Sequence, residues 1–137
     1  MSVHELRPKS GDSEKITINL GFVDLGQIDL LVQEGFYSNR TDFIRTAIRN
    51  QLSVHNEVIK QTVARKTLVL GLQHISRQDL EAAQRAGQRL QIQVVGLARI
   101  ADDVSPELAR ATIDSLIVLG ALQASTAVKT ALADRIH

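Results

Sequence analysis

Three polar side chains, Lys15, Thr17 and Asn19, alternate with Ile16, Ile18 and Leu20 near the start of the chain. Period-two alternation with β-branched residues is the pattern of a half-buried strand, with one polar and one apolar face. The polar face carries an ammonium, a hydroxyl and a carboxamide, a row able to donate and accept hydrogen bonds in fixed order. Further on, the run Ser38-Asn39-Arg40-Thr41-Asp42 reads as a helix start. Asn39 stands at the N-cap, and Asp42, three residues later, comes close to a capping box. The first turn of a helix leaves backbone N–H groups unpaired at the positive end of the dipole, so this start is a candidate phosphate site.

The elements that must position these groups are legible between and after them. Asp24 to Glu34 has an apolar stripe of Leu25, Ile28, Leu31 and Val32 at helical spacing, with Asp24 as N-cap or first-turn acid and Gly35 placed to end the helix. From Asn39 a second helix runs through Phe43, Ile44, Ala47, Ile48 and Leu52, and on to about Lys66, either unbroken or with a break near His55-Asn56. A strand and two helices in under forty residues cannot bury their own apolar faces, so the segment is expected to fold as a dimer. Ile16, Ile18, Leu25, Ile28, Phe43, Ile44, Ala47 and Ile48 are the expected dimer core.

Residues 15–52, with GFYSNRTDFIRTAIR at their centre, resemble the ribbon-helix-helix family of bacterial repressors. The resemblance implies that strands from two subunits pair antiparallel and enter the major groove of double-stranded DNA, which admits a two-stranded ribbon. Lys15, Thr17 and Asn19 would then read bases: Lys15 donating to guanine, Asn19 pairing with adenine, Thr17 meeting an edge or a thymine methyl. Ser38, Asn39, Arg40 and Thr41 would hold the DNA backbone. Arg45 and Arg49 share a helix face, where a solvated or ion-paired role outweighs a DNA contact. Polar, solvent-facing alternatives exist for each residue, but the order of strand and helices favours the DNA reading.

Residues 67–137 repeat themselves. Segments beginning at Thr67, Ile92 and Ser115 share Gly71, Gly96 and Gly120, and each reads as an apolar strand followed by a helix capped by Ser76, Ser105 or Ser125. Asp79 completes a capping box with Ser76, and Pro106 follows Ser105 at the first helical position. A strand and a helix every two dozen residues is the period of a leucine-rich-repeat-like solenoid, favoured here over a ferredoxin-like domain, which places two strands consecutively. The open sheet edges of such a stack are natural places for self-association. The expected fold is thus α+β: a mobile arm over 1–14, a ribbon-helix-helix module over 15–52, a connecting helix over 53–66, and a three-repeat strand-helix domain over 67–137 for oligomerisation or effector binding.

The remaining features mostly exclude. With 137 residues and a net charge of +1, nothing in the overall charge points to a partner. Aromatic residues make up 3%, so the core is built from aliphatic side chains. The absence of cysteine removes disulfides and thiolate metal sites, and fits a reducing cytoplasm, with the protein on the nucleoid. No apolar run is long enough for a membrane span, and the first residues lack the apolar core of a signal peptide. His4, His55, His74 and His137 lack metal-ligand spacing, and Asp102-Asp103 reads as a hydrophilic turn. No cofactor, metal or catalytic group is expected. The leading function is a dimeric, non-enzymatic transcriptional repressor that is sequence-specific for DNA, with a dimer of dimers or more through residues 67–137. An architectural role in nucleoid organisation, plasmid partition or conjugation, and an antitoxin role, are the alternatives.

Overall fold

The computed structural model describes residues 13–137. The arm expected over residues 1–14 lies almost wholly outside the described residues. The elements run α1 (Phe22–Gln33), α2 (Arg40–Val54), α3 (Asn56–Arg65), β1 (Val69–Ile75), α4 (Arg77–Arg85), β2 (Leu90–Ile100), α5 (Pro106–Thr112), β3 (Ile113–Gln123) and α6 (Thr126–Ala131), closed by a short 3-10 turn at Ala133–Arg135. Two compact units result, one over residues 13–61 and the other over 62–137, with the division inside α3. No helix among the described residues is long and apolar enough to cross a membrane.

In the N-terminal unit, α1 begins two residues before the expected Asp24. Gly21 occupies the N-cap without a side-chain bond, and Asp24 sits in the first turn, where its charge opposes the helix dipole favourably. The helix ends in a Schellman motif: Phe36 N–H donates to Leu31 O at 3.0 Å and Gly35 N–H to Val32 O at 3.1 Å, with Gly35 at φ 85°. α2 is capped by Asn39 as expected, and the longer helix breaks at His55, the second of the two readings. Lys15 to Leu20 forms no strand in the single chain. A strand needs a neighbour for its hydrogen bonds, and none is supplied by the described residues of this chain.

The C-terminal unit is a three-stranded parallel sheet in the order β1-β2-β3. Strands and helices alternate as the repeats suggest, which rules out the consecutive strands of a ferredoxin-like domain. The sheet is nevertheless neither closed nor curled, so the leucine-rich-repeat-like solenoid is corrected to an open three-stranded parallel sheet packed against helices. The physical reason lies in the strands. β2 and β3 are 11 residues each against helices of 9, 7 and 6, and paired positions extend along most of each strand. A long ladder of this kind resists bending around a short helix layer.

All three serine caps form. Ser76 and Asp79 make a full capping box, Ser105 accepts from Leu108 N–H with Pro106 following, and Ser125 accepts from Val128 N–H. Leu80, Ala109, Val128 and Leu132 from the helical side meet Ile75, Ile92, Val94, Ala98, Ile100, Ile113 and Leu116 of the strands in one buried core. Gly71, Gly96 and Gly120 stand in register across the sheet. A Cβ on Gly96 would lie 2.1 Å from Gly71 O, and one on Gly120 2.0 Å from Gly96 O. These two positions admit only glycine, because the neighbouring carbonyl fills the side-chain space.

The end of the chain is latched to this unit. Arg110 forks onto Asp134 at 2.8 and 3.2 Å, Arg135 donates to Ile113 O at 2.8 Å, and His137 N–H reaches Leu116 O at 2.7 Å. The C-terminal half is therefore a folded unit to its last residue.

Candidate nucleic-acid interface

The two groups of candidate side chains both lie in the N-terminal unit. Lys15, Thr17 and Asn19 are all exposed, but so are the residues between them: Ile16 is 80% exposed, Ile18 62% and Leu20 40%. A segment with a polar and an apolar face has neither face covered. Of the expected dimer core, only Ile28 is buried. Leu25, Phe43 and Ile44 are half-buried, and Ala47 and Ile48 are exposed. The helices α1 and α2 meet at a corner where the rings of Tyr37 and Phe43 pack edge to face, 5.0 Å apart.

The start of α2 is built as a compact network. Asn39 Oδ1 accepts from Asp42 N–H at 2.8 Å, and Asp42 Oδ2 accepts from Ser38 N–H at 2.9 Å. The carboxylate thus reaches back to Ser38, one residue short of the reciprocal bond of a true capping box. Asn39 caps its helix, and the backbone N–H groups of Arg40 and Thr41, in the first turn, have no acceptor within the helix. Ser38, Asn39, Arg40 and Thr41 are all exposed. Four neighbouring groups therefore present an open helix terminus, with two of the local donors already engaged by Asn39 and Asp42.

Arg40 is not the loose cation that the sequence suggests. Its guanidinium forks onto Asp29 of α1, with Nε to Oδ1 and the second nitrogen to Oδ2 both at 2.7 Å. This hydrogen-bonded pairing holds the Asp29 carboxyl below its ordinary pKa and raises that of Arg40, with the charge attraction adding to both. The pair ties α1 to the start of α2, so Arg40 positions the helix terminus. Asp29 was not foreseen as part of the site. Eleven residues separate it from Arg40, and no local spacing rule links them across a turn. Arg45 and Arg49 are exposed and make no ion pair among the described residues.

The profile of the ribbon-helix-helix transcriptional regulator family matches residues 11–129. The chain belongs to this family. The match takes in nearly the whole chain, so the likeness seen over residues 15–52 is extended through the repeat unit. A ribbon-helix-helix regulator binds DNA and regulates transcription, and the family is typically non-enzymatic. No curated protein and no solved structure matches the chain. Among the described residues of this regulator, no cluster of histidine and acidic side chains could hold a metal ion.

Proposed function

We propose that this regulator is a dimeric, sequence-specific repressor. Lys15 to Leu20 of two copies pair antiparallel and enter the major groove, where Lys15, Thr17 and Asn19 of each copy read base edges. The start of α2, with Ser38, Asn39, Arg40 and Thr41, holds a phosphate by its first-turn N–H groups, and the Arg40–Asp29 pair fixes its aim. Ile16, Ile18, Leu25, Ile28, Phe43, Ile44, Ala47 and Ile48 close the dimer core. The observation that carries this reading is the uncovered apolar face of the alternating segment: an exposed row of Ile16, Ile18 and Leu20 is stable only against a partner. In this reading the partner is a second copy, in an intracellular, DNA-bound setting.

The test is operator binding by a variant with alanine at Lys15, Thr17 and Asn19. Discrimination between operator and random DNA is expected to collapse, since each good bidentate contact is worth about 1–3 kcal/mol and the twofold axis doubles it. Nonspecific binding should change far less and keep its steep salt dependence. Unaltered operator binding would remove the ribbon from the mechanism. The second reading, an assembling architectural protein, is favoured by one observation, the open edges of the C-terminal sheet. The folded, latched C-terminal unit speaks against an antitoxin with a tail that folds only on its toxin.

A further inference from the structure

The sheet of the C-terminal unit has two unlike edges that match each other row by row. Val69, Val94 and Val118 form one row across the strands, then Leu70, Val95 and Leu119, then Gly71, Gly96 and Gly120. Within the chain the glycine contact is made twice, each time with the carbonyl of one glycine filling the side-chain space of the next. Gly71 holds the same kind of backbone, with φ 126° against 136° and 120° at the other two. Yet among the described residues nothing lies within 4 Å of its Cβ position. Among the described residues Gly71 is a socket without a carbonyl, and Gly120 offers a carbonyl on a strand with no socket beyond it.

The outer edge of β1 pairs with no strand among the described residues, and its side chains are open. Val69 is 46% exposed where its row-mate Val94 is at 0%. On the far side, the chain's end covers only the beginning of β3, where Ile136 bridges Leu116. Leu119 and Gly120 remain exposed. If a strand were laid beside β3 with Gly71 opposite Gly120, Val69 would stand beside Val118 and His74 beside Gln123. Leu116 would then face Thr67, before β1 begins, so the latched terminus does not obstruct the join.

We propose that β3 of one copy and β1 of a second copy join in parallel, Gly120 opposite Gly71, so that C-terminal units assemble head to tail into a continuous sheet. The contact is heterologous. Each copy keeps one edge of each kind, and assembly does not stop at two. The proposal goes beyond the DNA-reading role and does not depend on it.

The chain has no cysteine, which allows a direct test in the full-length protein. Leu70 and Leu119 are 58% and 57% exposed, so cysteine at either leaves the core untouched. Within one chain they lie two strand spacings apart, roughly 9–10 Å, beyond the ~7 Å reach of a disulfide. Across the proposed join they are one spacing apart, roughly 4.8 Å. Mild oxidation of the Leu70→Cys, Leu119→Cys double variant should give a ladder of covalent dimers, trimers and higher species on a non-reducing gel. Each single variant, and Leu97→Cys on the central strand, should stay uncrosslinked. Light scattering of the unaltered protein without DNA should show a mass that climbs past the dimer with concentration. Failure of the double variant to form a ladder overturns the proposal, as does a mass that stays fixed at the dimer or below. Covalent dimers from any single variant overturn it too, because they report face-to-face pairing of the sheets.

Discussion

The two units treat their apolar side chains in opposite ways. In residues 62–137, strands and helices bury aliphatic side chains against one another, and Leu80, Val94, Ile113, Leu116 and Leu132 are sealed within one chain. In residues 13–61, Ile28 is the only buried hydrophobic side chain, while Ile16, Ile18, Leu30, Ile48 and Leu52 are open. Both stretches carry apolar side chains at spacings that call for burial. Amphipathic patterning tells that a face will be covered and is silent on whether the same chain covers it.

The contrast can be broken most forcefully at Gly120. Gly120→Ala places a Cβ on the Gly96 carbonyl at a φ of 120°, where the backbone strain alone costs about 1–3 kcal/mol. The clash adds to this, and the C-terminal unit should lose its cooperative unfolding while α1 and α2 keep theirs. Residue-resolved hydrogen exchange would show it; slow exchange retained in β2 would mean that the carbonyl packing is dispensable. The opposite pattern is expected from Ile18→Asp. That change removes roughly 1.5–3 kcal/mol of apolar burial per copy from the proposed dimer. Residue-resolved hydrogen exchange should then find fast exchange throughout α1 and α2 beside an intact C-terminal core, and undiminished protection of α1 and α2 would count against the ribbon.

Smaller effects sharpen the comparison. Thr67 stands at φ 56° just after α3, in the position that Gly35 and Gly87 occupy after α1 and α4. A β-branched residue is strained there, so Thr67→Gly should stabilise the protein by about 1 kcal/mol in thermal denaturation. The smallest effect is that of acid. Hydrogen bonds from Arg40, from Ser76 and from Arg110 hold Asp29, Asp79 and Asp134 respectively below the ordinary carboxylate value. A lowered folded-state pKa contributes stability that is complete above the ordinary value of 3.8 and is lost as pH falls through the folded-state value. Stability should therefore stay level toward pH 4 on these groups' account and decline below it, with Asp79→Asn flattening part of the decline in urea titrations.

What the sequence made legible follows the range of the interactions. Asn39, Ser76, Ser105 and Ser125 cap their helices through bonds that span three residues, and each was visible as a local pattern. The aligned glycines were visible because the repeat carries the register. The start of α1 at Phe22 was missed because Gly21 caps without a side-chain oxygen. The end of the helix near Lys66 was legible, but the left-handed turn at Thr67 that closes it was not, because threonine carries no signal for a left-handed backbone. The fork between Arg40 and Asp29 joins two helices across a turn, and the open, uncurled form of the sheet depends on strand lengths that composition does not define. The proposed base-reading role of Lys15, Thr17 and Asn19 rests on chemistry and family, since a lone segment has no groove to show.

The like-on-like rows of the sheet also bear on how the chain finds its fold. Val69, Leu70 and Gly71 match Val118, Leu119 and Gly120 as closely as they match the strand between them. During refolding, β1 can settle against β3 with β2 left out, in a register that satisfies every row near the glycines. That mispaired species must come apart before the core closes, because Val94, Ala98 and Ile100 would be stranded in water.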